Sequence, residues 1–338
     1  MNDESKIISW VRTRPQRRDS DLVVGIGDDA AVWRPKPGHD LLVCCDLSVE
    51  GVHFRTAWAE PEMIGHKCLA VTISDIAAMG GAPRYALVSA ALPAGKPDGF
   101  IEGLFAGIFE LATRLDVEII GGDTSASPGP VFLDTTVIGE CATDRAIKRS
   151  GARPGDLIFV TGSLGGATLG LHFLQTKHET YAEHPGHDIL KRARQQAITR
   201  HLMPEPRVLA GKTIGASGLA TAMIDISDGL STDLAHLMSE SHTGAIIDAE
   251  SIPIAESVAL ATQSGLEISP LDLALHGGEE YELLLTSPPE NRRALQEAVG
   301  SAALQLSCIG KVVSDPGVRI RAGETLTELA PLGYQHSF

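Results

Sequence analysis

Val23-Val24-Gly25-Ile26-Gly27-Asp28-Asp29-Ala30-Ala31-Val32 decides how the rest of the chain reads. It is a short apolar strand, a glycine turn and two adjacent carboxylates, followed by more apolar chain. Its glycines match G-x-G-x-x-A, but a dinucleotide fingerprint needs a helix N-terminus facing the pyrophosphate. Here two anions and then Ala31-Val32-Trp33, a strand pattern, take that place. The stretch therefore reads as a carboxylate set between strands and not as a Rossmann turn. The chain also carries no G-x-x-x-x-G-K-[ST] loop and no protein-kinase loop set.

Working outward, the same device recurs. Asp46 closes Leu41-Leu42-Val43-Cys44-Cys45, Asp75 interrupts the apolar run 70–79, and Asp123 follows Val117 to Gly122. Asp225 and Asp228 frame Ile224-Asp225-Ile226-Ser227-Asp228-Gly229. Taken singly, most have an ordinary reading: Asp28-Asp29 a turn pair, Asp46 a strand-end cap, Asp123 a turn residue, Asp228 a charge at a helix start. Asp75 is hardest to dismiss, because the surrounding helix is apolar. Two carboxylates about 4 Å apart repel by roughly 4 kcal/mol at an effective dielectric of about 20. A chain that places seven Asp at such positions needs cations. Oxygen ligands without Cys/His spacing point to magnesium, which carboxylates usually hold together with substrate phosphates.

At 338 residues the chain is expected to form two domains. Hydrophobic residues make up 43% and charged residues 21%, as in soluble globular proteins. A net charge of −15 argues against nucleic acid and anionic membranes as partners. No apolar run reaches the roughly 20 residues of a membrane span. The polar, acidic start (Met1 to Lys6) is unlike a secretory signal, and Cys44, Cys45, Cys68, Cys141 and Cys308 form no C-x-x-C pair. A cytoplasmic protein with reduced thiols is expected.

Patterning predicts a short helix over 6–13, strands at 22–26, 30–33 and 41–46, and a helix from Pro61 to the Gly80-Gly81 stop. Strand 84–92, helix 98–115, and strands 117–121 and 131–139 follow. The turn-rich 149–156 segment marks the boundary between an N-terminal domain, 1–148, and a C-terminal α/β domain, 149–338. The second half opens with strand 157–161, a glycine-rich turn and a helix. Residues 176–190 read as a polar, His-rich surface insertion. Beyond it come strand 222–226, a helix bearing Leu230, Leu234, Leu237 and Met238, strand 245–248, helix 254–263, strand 281–286, helix 289–299, and strands 306–313 and 317–321. The fold class is mixed α/β.

With these residues assembled, the sequence closely resembles the thiamine-monophosphate kinase family, in the superfamily of aminoimidazole ribonucleotide synthetase and selenophosphate synthetase. The matching segments are Gly25 to Ala30, Asp46 to Phe54, Ser74 to Gly81, Gly121 to Thr124, Arg149 to Asp156, Ile224 to Leu230, His276 to Leu283 and Gly333 to His336. Asp-x-x-x-Glu-Gly-x-His-Phe and Gly-Gly-Glu-x-Tyr-Glu-Leu are specific to the kinase branch.

The resemblance implies a two-domain ATP-binding fold, a homodimer paired through its N-terminal domains, and magnesium-dependent transfer of the ATP γ-phosphate to thiamine monophosphate. It implies magnesium ligands at Asp29, Asp46, Asp75, Asp123, Asp225 and Asp228, with Cys44 and Cys45 beside them. The family usually has Ser or Thr at those two positions; here a hydroxyl ligand is lost and backbone carbonyls remain. It implies ATP contacts at Gly122, Asp123, Arg149 and Ser227, and contacts to thiamine monophosphate at His53, Glu279 and Tyr334. No catalytic base is implied, since a phosphate monoester is already a nucleophile at neutral pH. Selenophosphate synthetases carry a reactive cysteine in an early glycine-rich loop, and no cysteine precedes Cys44 here.

Overall fold

A computed structural model describes residues 10–11, 13, 21–26, 29–176 and 187–337. The expected helix at 6–13 lies outside these residues except for Trp10, Val11 and Thr13, and so do Gly27, Asp28 and most of the 176–190 segment. The chain divides into two compact units, residues 1–76 with 81–146, and residues 77–80 with 147–338.

In the first unit, β1 (Leu22–Val24) pairs antiparallel with β2 (Val32–Trp33), so a strand and not a helix follows the glycine turn. Trp33 packs at 5.9 Å from Tyr85 and seats this hairpin. A four-stranded sheet follows, in the order β3 (His39–Val49), β6 (Phe132–Ala142), β4 (Ala82–Pro93), β5 (Glu118–Ser127). The expected strand 41–46 was too short. Pairing with β6 continues to Val49, which places Asp46 in mid-strand and not at its end. Alternation drives this: Leu42 and Ser48 turn inward while Leu41, Val43 and Leu47 stand on the opposite face, exposed.

Helix α1 (Pro61–Ala78), as far as Ile76, and helix α2 (Phe100–Arg114) belong to the same unit. They cross closely where Gly65 meets the Leu104 backbone and Gly107 meets that of Glu62; a side chain at either glycine would collide. α2 matches its 3/4-spaced apolar pattern, burying Phe100, Leu104, Phe105, Ile108 and Leu111.

The second unit is built on a seven-stranded sheet ordered β13 (Thr325–Glu328), β12 (Gly317–Ala322), β9 (Gly244–Asp248), β11 (Leu306–Val313), β7 (Leu157–Thr161), β10 (Leu283–Ser287), β8 (Ala222–Asp225). Within this sheet the β9–β12 pair is parallel and the other described pairs are antiparallel. Its helices are α3 (Gly166–Gln175), α4 (His187–Leu202), α5 (Val208–Ser217), α6 (Leu230–Glu240), α7 (Glu256–Gln263), α8 (Pro270–His276) and α9 (Arg292–Gly300). Period two sorts the central strands. Ile158, Val160, Ile224 and Leu284 pack with Leu230, Leu234 and Leu237 of α6. Phe159, Met223, Leu283 and Leu285 pack with Ile214 of α5 and Leu295 and Val299 of α9. The sheet is thus covered on both faces, and β7, β8 and β10 are nearly continuous apolar runs.

Candidate active site

In the first unit, α1 runs back along β3. The Cys44 thiol donates to the Thr72 carbonyl oxygen at 3.2 Å, and the Thr72 hydroxyl hydrogen-bonds Asp46. Thr72 also meets the Thr135 hydroxyl, which donates to Cys68 O at 3.0 Å. Asp75 lies three residues further along α1, half-buried. Asp46 Oδ2 is buried with no hydrogen-bond partner among the described residues. Burial raises the Asp46 carboxyl above the usual range and Asp134 adds to this, while the Thr72 bond opposes it. A buried anion with one free oxygen and an acidic neighbour fits a divalent cation, and it is costly without one.

The sheet register separates the other candidates. Asp46, Thr135, Val88 and Gly122 form one cross-strand row; Leu47, Asp134, Ser89 and Asp123 form the next. Asp46 and Asp123 are therefore three strand spacings apart, on the order of 14 Å along the sheet. The structure does not bring them together across the strands. Cys45 is exposed, on the opposite face of β3 from Cys44 and Asp46. The double change Cys44→Ser, Cys45→Thr is expected to keep kcat within about twofold, since neither thiol is placed as a nucleophile. Steady-state assays across a magnesium titration check this, and loss of activity would show a role for the sulfur. Asp29 is exposed, just before β2.

The Asp-x-x-x-Glu-Gly-x-His-Phe motif begins in β3 at Asp46 and leaves the strand after Val49 in a turn. Glu50 accepts from Thr56, from Lys96 at 3.1 Å and from the Val131 backbone N–H at 3.0 Å. His53 Nδ1 accepts the Val49 N–H at 3.0 Å, so in the neutral ring the proton sits on Nε2, which is then a donor.

In the second unit, loop 226–229 leaves β8 and enters α6. Asp225 is buried, and Asp233, in the first turn of α6, accepts the N–H groups of Asp228 (3.1 Å) and Gly229 (3.0 Å). Carboxylate oxygens of Asp228 and Asp233 and a ring nitrogen of His236 lie within 4.8 Å of one another. Burial raises the Asp228 carboxyl, against the opposing charges of His236, His336 and Arg149. Burial also pushes Asp233 up to about 8, with Asp225 and Asp228 adding to it.

A carboxyl with a raised folded value favours folding when protonated. The metal-free protein is therefore expected to lose stability as pH rises from 3.8 to about 8. Asp233→Asn should flatten that slope in thermal melts taken across pH; an unchanged slope would place its origin elsewhere.

Two further segments meet this loop. Glu279 N–H donates to Ser227 O at 2.7 Å, Tyr281 N–H to Ile226 O at 2.8 Å, and Tyr334 N–H to Asp228 O at 3.0 Å. Glu279 pairs with His201 Nδ1 at 3.1 Å, and the half-exposed Tyr334 ring stands edge-on to His336 at 4.9 Å. Thus Arg149, Asp225, Ser227, Asp228, Glu279 and Tyr334, spread over 186 positions of sequence from 149 to 334, gather in one unit. Sequence reasoning missed Asp233, His236 and Asp134. Asp233 had a signal, an acidic residue one turn into a helix whose start is a glycine.

Residues 27–141 match the AIR synthase related protein, N-terminal domain, and residues 153–323 the corresponding C-terminal domain. The chain is similar to a thiamine-monophosphate kinase from Bacillus subtilis (strain 168), 37% identical over 99% of both chains. It is similar in structure to the thiamine-monophosphate kinase of Stenotrophomonas maltophilia K279a, with a TM-score of 0.76 and 33% identity over 94% of both chains. A structure of AaThiL complexed with AMPPCP and TMP aligns with a TM-score of 0.76 and 31% identity, over 90% of this chain and 89% of that one. By motif, fold and similarity over nearly its whole length, the chain belongs to the thiamine-monophosphate kinase family of AIR synthase related proteins.

Proposed function

We propose that this chain is an ATP-dependent phosphotransferase that passes the γ-phosphate of ATP directly to thiamine monophosphate, giving thiamine diphosphate and ADP. One observation carries the reading. Loop 226–229, with the ATP-contacting Ser227 and the metal-ligand candidate Asp228, is hydrogen-bonded through its backbone to Glu279 and Tyr334, the acceptor-side residues of the family motifs. The N-terminal domain, 1–148, is the metal- and ATP-binding and dimerisation domain; 149–338 is the C-terminal α/β domain.

Magnesium ions, when bound, neutralise the phosphate oxygens of donor and acceptor, which otherwise repel. Asp29, Asp46, Asp75, Asp123, Asp225 and Asp228 would hold them, with backbone oxygens at Cys44 and Cys45. Arg149, Ser227, Gly122 and Asp123 bind ATP. His53, through Nε2–H, donates to the acceptor, Glu279 pairs with its cationic ring system, and Tyr334 adds cation–π attraction. No side chain needs to take a proton first, so alignment and charge carry the reaction.

An assay with ATP, magnesium and an acceptor panel including thiamine and thiamine monophosphate tests this. Thiamine diphosphate and ADP should form in equal amounts from thiamine monophosphate. Phosphorylation of another acceptor in its place would overturn the reading.

A homodimer is part of the proposal. Leu41, Val43 and Leu47 on the outer face of β3 are 42%, 66% and 54% exposed, a contiguous apolar strip on an edge strand. Val43→Glu is expected to convert the dimer to monomer in sedimentation velocity; a wild-type profile would place the interface elsewhere. Among the described residues no helix is long and apolar enough to cross a membrane, and a cytoplasmic site of action completes the reading.

A further inference from the structure

Beneath the acceptor loop lies a buried ionic network that the functional reading above does not use. Glu280 and Glu282 are 2% and 0% exposed. Glu282 Oε1 accepts from Arg200 Nη2 and Arg207 Nη2, both at 2.6 Å. Its Oε2 accepts from Arg207 Nε at 2.8 Å and from the Thr161 hydroxyl at 2.7 Å. Glu280 accepts the Ala167 N–H at 2.9 Å and Arg200 Nε at 3.0 Å. Arg200 Nη2 also reaches Ser163 O at 3.1 Å. Burial disfavours the Glu282 carboxylate, but the two guanidiniums outweigh it and hold the group below its ordinary range.

Hydrophobic side chains of similar volume often serve stability as well as a buried ion pair does. The arrangement has a more specific consequence. Residues 279–282 zigzag, with Glu280 and Glu282 pointing into the network and Glu279 and Tyr281 alternating with them. Glu279 and Tyr281 take φ of 64° and 50°, left-handed values that side chains rarely adopt. Their N–H groups bond Ser227 O and Ile226 O, and Ile226 N–H bonds Glu282 O at 2.8 Å. Next to Arg200 in sequence, His201 touches Glu279. The end of α4 therefore grips the three acidic side chains of this segment, Glu279, Glu280 and Glu282, and the backbone is strained at Glu279.

We infer that Arg200 and Arg207 are positioning residues for acceptor recognition: by anchoring Glu280 and Glu282 they hold Glu279 in its left-handed conformation, at a fixed offset from loop 226–229. This rests on the reading of Glu279 as a contact to thiamine monophosphate. The guanidinium is needed for its planar fork. Arg200 bonds two carboxylates and two carbonyls, of Ser163 and Glu280, which an ammonium on a flexible stem does not reproduce.

Arg200→Lys and Arg207→Lys in the full chain test the inference, assayed for the KM of each substrate and for thermal unfolding. Arg200→Lys should raise the KM for thiamine monophosphate at least about tenfold, equivalent to about 1.4 kcal/mol, with the KM for ATP changed less than about twofold. Arg207→Lys leaves Arg200 on Glu282, so it should act in the same direction more weakly and serves where Arg200→Lys does not fold. The deciding measurement is the cycle with Glu279→Gln. If Arg200 acts through Glu279, the double variant should show no higher KM for thiamine monophosphate than Glu279→Gln alone. Additive effects, or equal rises in both KM values accompanying a lower melting temperature, would overturn it and leave the network a scaffold. A Glu279→Gln variant with an unchanged KM for thiamine monophosphate is a separate result, which overturns the acceptor assignment on which the inference rests.

Discussion

Asp46→Asn is expected to lower kcat/KM by about 10²–10³-fold, the scale of removing one preorganised electrostatic contact from a transition state. The metal-free variant should melt at or above the wild-type temperature. Asp46 is mid-strand, faces α1, and holds a buried oxygen that no described residue satisfies. Burial and Asp134 both disfavour its charge, so without a cation the carboxylate destabilises the fold it belongs to. Asparagine removes the charge at nearly constant volume and keeps an oxygen for Thr72. Activity and metal-free stability should then move in opposite directions, as they do at sites where charge is kept for function. Magnesium should raise the melting temperature of wild type more than that of the variant. Near-wild-type turnover in saturating magnesium would remove Asp46 from the ligand set. Asp75→Asn should likewise lower activity with the fold intact.

Gly122→Ala is the second large effect, and it acts through the backbone. Gly122 has φ of 153° and a Cβ there would overlap the carbonyl of Val88, its partner across the β4–β5 pair. Backbone strain of this kind costs about 1–3 kcal/mol before any overlap is counted. Relief requires β5 to separate from β4 at the point where the strand turns toward Asp123. We expect a loss of at least about 3 kcal/mol in chemical denaturation, with the KM for ATP raised more than that for thiamine monophosphate. Wild-type stability would mean that the strand pair relaxes more easily than its register implies. Gly121→Ala, where only the flexible end of Leu87 is near, should be tolerated far better.

Much of this architecture was legible where chemistry is local. The apolar stripe of Phe100, Leu104, Ile108 and Leu111 named its helix, and the runs at 157–161 and 222–226 named buried strands. The helix spanning 208–217 was not predicted, and its two glycines, Gly211 and Gly215, lower its helix propensity. In the fold they are close-approach points, against the backbones of Ala77 and Gly80, where a methyl group would collide. The helix at 187–202 was hidden by its polarity; what it buries is mainly Leu190, Ala193 and Ala197. Asp46 was recognised by residue type but misjudged in place, since its strand continues through Leu47, Ser48 and Val49 with no turn residue to end it. Arg200 and Arg207 gave no signal at all, as their partners lie 75 to 82 residues away and ion pairs leave no period in sequence.

The alternation along β3 has a bearing on how this chain can vary over evolutionary time. A substitution at Leu41 or Val43 alters one face, and one at Cys44 alters the other, so point changes are separable. A deletion of a single residue is not. It would turn Asp46 outward, draw Leu47 against α1, and shift pairing with β6 along the remainder of the strand. Lineages can therefore drift in composition through residues 41–49 while their length there stays constant. Gains and losses of residues are channelled instead into segments whose neighbours do not count in twos.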